Sequence, residues 1–125
     1  MKSLVFTLLA FLVTWQTAQA EVSMPKFFSD NMVLQRERPI RIWGRAANGE
    51  SVTVRFAGSE VSVQTDRTGR WEATLPAMAA DATPREMTVT GRADTVRFTN
   101  VVVGDVWLCS GQSNMEWRLD PPTDC

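Results

Sequence analysis

The 125-residue chain contains no histidine and no tyrosine. Each absence removes a chemistry. Without an imidazole, the side chain that most often acts as a general base near neutral pH is missing. A zinc site would have to be built around two cysteines, Cys109 and Cys125, which is too few ligands. A calcium loop of the Asp-x-Asp-x-Asp-Gly kind is also absent. No metal and no other cofactor is expected. Lys26 is the only lysine after the first twenty residues, so a serine–lysine pair has one remote candidate. After those twenty residues no stretch is apolar enough to cross a membrane.

The first twenty residues are the exception. Met1-Lys2 gives a positive start, and Leu4 to Val13 is an apolar run broken only by Thr7. Ala18-Gln19-Ala20 then places small residues where a signal peptidase reads them, with the cut before Glu21. Spanning a bilayer takes about twenty apolar residues, and this core has roughly half that. The segment 1–20 therefore reads as a cleaved signal peptide, and the protein as secreted or periplasmic, with no membrane attachment after cleavage. Removing twenty residues from 125 leaves 105, enough for one small domain. Lys2 leaves with the leader, so the 13 basic residues fall to 12 against 14 acidic ones. That near balance argues against a nucleic-acid or anionic-membrane partner. The Arg36, Arg38, Arg41 and Arg45 cluster does not change this, because Arg41 lies between Ile40 and Ile42 on what reads as the wet side of a strand.

From Phe27 to about Val103 apolar and polar residues alternate in short runs, the mark of half-buried strands. Val52, Val54 and Phe56 form one such face; Val61, Val63 and Thr65 another; Trp71, Ala73 and Leu75 a third. Met87 with Val89 and Val96 with Phe98 continue the pattern. Asn48-Gly49, Asp66 to Gly69 and Gly91 to Asp94 supply turn chemistry between runs. Asn48-Gly49 suits a tight turn with positive φ at both central positions. Pro39 fits the entry to an edge strand, and Ala77 to Pro84 reads as a surface loop. About seven strands at this spacing predict a small antiparallel β-sandwich over 21–103.

The pattern then changes. Val101 to Cys109 is almost continuously apolar, as in a strand buried on both faces of a parallel sheet. In that setting Cys109 reads as a small buried thiol and not as half of a disulfide. The run leads into Ser110-Gly111-Gln112-Ser113-Asn114-Met115-Glu116-Trp117. A serine at the tip of a Gly-containing turn after an apolar strand can be held out at the carboxyl edge of a sheet. A helix beginning beyond it would point backbone N–H groups at a developing oxyanion. On residue types alone, Ser113 could equally be a turn serine.

Two blocks decide between these readings. Phe28-Ser29-Asp30-Asn31-Met32-Val33-Leu34-Gln35 resembles the opening of the sialate O-acetylesterase family of carbohydrate esterases. Val103 to Trp117 (VGDVWLCSGQSNMEW) resembles the nucleophile block of the same family. The resemblance implies an all-β sandwich followed, over 104–125, by the first strand and nucleophile turn of a truncated α/β hydrolase domain, flavodoxin-like and of the SGNH type. It implies an O-acetylated carbohydrate as substrate, with Ser113 as the attacking serine and its own N–H as an oxyanion donor. Gln112 and Asn114 flank it as oxyanion or pocket-shaping residues.

The family's later blocks, which carry the catalytic Asp and His, have no counterpart before Cys125. A serine hydroxyl attacks poorly unless a base takes its proton, and an exposed carboxylate near pKa 4 is a weak base at pH 7. The expectation is thus an amino-terminal piece of a secreted carbohydrate O-acetylesterase, inactive alone, with its last twenty residues poorly anchored. The alternative is a free-standing carbohydrate-binding or structural β-sandwich. In that case Trp43, Trp71 or Trp107 would stack on sugar rings, although tryptophans in small sandwiches usually fill the core.

Overall fold

The structure, a computed structural model, describes residues 21–111. Residues 1–20, expected from the sequence to be a signal peptide, and the residues Gln112, Ser113 and Asn114 lie outside the described residues, as does the rest of 112–125.

Seven strands are present: β1 (Val33–Gln35), β2 (Ile40–Arg45), β3 (Ser51–Phe56), β4 (Ser59–Gln64), β5 (Arg70–Leu75), β6 (Asp81–Thr90) and β7 (Thr95–Gly104). No helix occurs among the described residues. The strands form a five-stranded sheet in the order β1-β7-β6-β3-β4 and a two-stranded sheet of β2 and β5. Alternation sets the inward faces. Ile40 and Ile42 of β2, and Trp71, Ala73 and Leu75 of β5, meet Val52, Val54, Phe56, Met87 and Val89 of the larger sheet in one buried cluster. Each fully buried Val, Leu or Ile in such a cluster stabilises the fold by about 1.5–3 kcal/mol relative to exposure.

Outward positions carry ion pairs. Arg41 donates from Nε and Nη2 to the two carboxylate oxygens of Glu72, each at 2.9 Å, and Arg55 faces Glu60 directly across β3 and β4. These pairs are exposed, so each adds little stability.

Four expectations are corrected here. The sandwich is not wholly antiparallel: β1 runs parallel to β7, with Val33, Leu34 and Gln35 opposite Val102, Val103 and Gly104. Asn48-Gly49 does not close a hairpin. Only Gly49 has positive φ (68°), and the segment carries the chain from β2 to β3, which lie in different sheets. The tight turn with two positive-φ residues is Ala57-Gly58 (48° and 80°), between β3 and β4. Part of the expected 77–84 loop is strand, because β6 begins at Asp81. Pro84 is accommodated where the β6–β7 register shifts between Asp81 and Arg85, the position where a missing N–H costs a ladder least.

The fourth correction concerns the run 101–109. It is not one strand. Residues up to Gly104 complete β7, while 105–111 have no strand partner among the described residues. The change of apolar period has a local cause. Met87 pairs with Phe98 and Arg85 with Val101, so β7 spends three residues where β6 spends two. The extra residue is a β-bulge containing Asn100, whose φ is 55°. A bulge reverses which side chains face inward, and Phe98, Val101 and Val103 all reach the core as a result.

Candidate functional site

The end of β7 is the route to Ser113, and the first sequence block is what holds it. Asp30 Oδ1 accepts from the backbone N–H of Thr99 at 2.6 Å and from Thr99 Oγ1 at 3.1 Å. Asn31, in the left-handed region at φ 64°, donates its N–H to the Thr99 carbonyl at 3.0 Å. The Asn100 Nδ2 amide donates to Asn31 Oδ1 at 2.5 Å. Asp and Asn tolerate such turn conformations and bond neighbouring backbone with their short side chains. Together these contacts clamp the bulge and align β1 beside residues 102–104.

Beyond the bulge the same block, together with Arg36 just after it, guides the chain out. Val102 donates its N–H to the Met32 carbonyl at 3.2 Å, and Arg36 donates its N–H to the Gly104 carbonyl at 2.9 Å. Gln35 Oε1 accepts the N–H of Val106 at 2.9 Å. Arg36 Nε donates to Asp105 Oδ1, also at 2.9 Å. Hydrogen bonding to Asp105, reinforced by the charges of Asp105 and Glu37, raises the Arg36 guanidinium above its ordinary pKa. The pair is exposed, so its role is orientation rather than stability. The block at 28–35 and the start of the second block, residues 103–106, some seventy residues apart in sequence, thus meet at one edge of the sheet.

After Val106 the contacts end. Trp107 and Leu108 are 84 % and 93 % exposed, and Cys109 is exposed as well, which corrects the expectation of a buried thiol. These side chains have no facing sheet among the described residues, so the apolar run has nothing to be buried against. Of the tryptophans considered for sugar stacking, Trp71 is in the core, with its Nε1 buried and unpartnered. Trp43 is partly exposed and packs against Phe27 and Phe28, with ring centroids 5.2 and 5.1 Å away. That aromatic group and the Asp30–Asn31 clamp are features that sequence reasoning did not pick out. The adjacent Phe27-Phe28 and the Asp-Asn pair were their only signals.

No group of three or more His, Cys, Asp or Glu able to hold a metal occurs among the described residues.

No family model matches the chain. It is 31% identical over 129 residues to the sialate O-acetylesterase of Homo sapiens, covering 93% of this chain and 24% of that protein. With the sialate O-acetylesterase of Mus musculus the identity is 33% over 104 residues, or 74% of this chain and 19% of that one. A crystal structure of a carbohydrate acetylesterase from Xanthomonas citri superimposes with a TM-score of 0.73 at 39% identity, covering 78% of this chain and 22% of the other. The chain spans about a quarter or less of the length of the proteins it matches. Over that stretch it belongs to the sialate O-acetylesterase family.

Proposed function

We propose that these residues form the β-sandwich and the nucleophile block of an exported carbohydrate O-acetylesterase, acting on acetyl esters of sugar hydroxyls such as those of sialic acids. The observation that carries this reading is the convergence of the two blocks. The first block anchors the strand from which the second departs, and the proteins to which this stretch is similar are a sialate O-acetylesterase and a carbohydrate acetylesterase.

In this reading Ser113 Oγ attacks the acetyl carbonyl and its backbone N–H stabilises the oxyanion, while Gln112 and Asn114 shape the pocket beside it. The proton released from Ser113 needs a base, and the 125 residues contain no histidine. The base is therefore supplied by residues outside this sequence. No cofactor takes part. Leu4 to Val13 directs export to the periplasm or the exterior.

The test is a hybrid in which residues 21–117 replace the matched stretch of the Xanthomonas citri acetylesterase. It is expected to release acetate from an O-acetylated sugar. Ser113→Ala in the hybrid should lower turnover by on the order of 10⁶, and the 125-residue chain alone should release none above background. Full activity in the Ser113→Ala hybrid, or enzyme-like turnover by the chain alone, would overturn the assignment.

A further inference from the structure

Among the described residues the exposed large apolar side chains are Phe27, Val33, Trp43, Val106, Trp107 and Leu108. Scattered singly they would need no explanation, but they are gathered. Phe27, Val33, Trp43 and Val106 line one groove, together with the core residues Leu34 and Ile40. Trp107 and Leu108 follow Val106 directly in the chain. The aromatic group is already packed, with Phe27 and Phe28 at 4.5 Å between centroids and both rings against Trp43. The ion pairs Arg41–Glu72 and Arg36–Asp105 involve residues that line or adjoin the groove. An aromatic, charge-poor centre with a charged margin is the anatomy of an interface core.

We propose that this groove is the seat of the catalytic part of the same esterase, the polypeptide that continues from Gly111 through the nucleophile block. The inference rests on the reading given under Proposed function. Three observations select this occupant over a second copy or a free ligand. The chain leaves the sandwich at the groove itself: Val106 lines it, and Gln35 and Arg36 hold residues 105 and 106 against its wall. A partner tethered at that point meets the groove at a high effective concentration without needing intrinsic affinity. The relatives are also about four times as long as the matched stretch, so each has a large body of chain to place. Val106, which lines the groove, is followed directly in the chain by the exposed Trp107 and Leu108, so the apolar character carries on into the exit segment.

The experiment compares Phe27→Ser/Trp43→Ser in the 21–117 hybrid and in the 125-residue chain, by differential scanning calorimetry. The unsubstituted hybrid should unfold in one transition. The double substitution should split it into two, while shifting the melting point of the 125-residue chain only slightly. If the pair prevents expression, Val33→Ser on edge strand β1 serves the same purpose and should lower the hybrid's transition more than the chain's. Equal shifts in hybrid and chain would overturn the proposal. So would a defined dimer of the 125-residue chain that the substitutions abolish while the hybrid's melting stays unchanged, because the seat would then belong to a second copy. Calorimetry is independent of ester hydrolysis. A hybrid that melts as one unit but releases no acetate refutes the proposed activity and supports the seat. An active hybrid with two independent transitions refutes the seat alone.

Discussion

Glu50 offers the sharpest test of how two connections at one end of the sandwich are tied together. It is 4 % exposed, and no lysine or arginine forms an ion pair with it among the described residues. Its carboxylate instead accepts backbone donors. Oε2 takes the Ala47 N–H at 2.9 Å, and Oε1 takes the Arg92 N–H. One side chain thereby joins the β2–β3 crossing to the turn between β6 and β7. Thr65 reinforces the site, accepting the Glu50 N–H and donating to the Ala47 carbonyl. Glu50→Ala leaves two partly buried N–H groups without acceptors. An orphaned buried donor costs about 1–3 kcal/mol, and partial burial places each in the lower half of that range. The expected loss is about 2–4 kcal/mol. That is a large share of the 5–15 kcal/mol typical of a whole domain, and it corresponds to a fall in Tm on the order of 10–20 °C. Glu50→Gln keeps one acceptor oxygen but turns an amide toward the other donor, so about half the loss is expected. Thermal unfolding of the 125-residue chain followed by circular dichroism measures both. A Glu50→Ala shift of under about 3 °C would refute the reasoning, since the two N–H groups would then be satisfied without the carboxylate.

Asp30→Ala removes the acceptor for both the N–H and the hydroxyl of Thr99. It should cost about 1–2 kcal/mol and speed amide exchange at Thr99 and Val102 selectively; uniform exchange across the sheet would contradict a local clamp. Trp71→Phe discards the unpartnered Nε1 together with some volume, so the relief of an orphan donor offsets part of the cavity. Its cost should stay below about 1.5 kcal/mol, against about 3–5 for Trp71→Ala, and a Phe variant as damaging as the Ala variant would show that the indole N–H is bonded. Asp81 titrates at about 2, below 3.8, chiefly because the Thr83 hydroxyl and N–H donate to it, with Arg85 adding to this. A lowered carboxyl pKa means that its contribution is present above pH 3.8 and is lost as pH falls toward 2. NMR titration should place the Asp81 midpoint near 2, and Thr83→Val, which removes the hydroxyl but keeps the N–H, should move it part of the way up toward 3.8; an unmoved midpoint would assign the shift to the residue 83 N–H and Arg85.

The strands of the core were legible because each buries one face. Period-two alternation names Val52, Val54, Phe56, Trp71, Ala73 and Leu75 directly, since nothing interrupts β3 or β5. Alternation says nothing about which strand lies beside which, and so the parallel β1–β7 pair and the crossing at Asn48-Gly49 stayed hidden. Residues 101–109 misled for a physical reason. A bulge at Asn100 and an unpaired exit segment, placed end to end, give the same continuous apolar string as a strand covered on both faces. Composition cannot separate burial inside this sandwich from burial awaited elsewhere.

The site's organisation follows from that ambiguity. Val101 and Val103 are apolar because they fill this core; Val106, Trp107 and Leu108 are apolar although little or nothing among the described residues covers them. The division falls at Gly104–Asp105, where Gln35 and Arg36 take hold of the chain. A soluble sandwich has no use for a tryptophan and a leucine exposed side by side, and every such pair invites association. Their presence next to a restrained exit, eight residues or fewer before Ser113, makes sense if the sandwich serves as a fixed base that aims the nucleophile block at a waiting apolar body. In that arrangement the clamp at Asp30 and Asn31 acts on catalysis through geometry alone. Loosening it should weaken substrate turnover in the hybrid without altering which residue attacks.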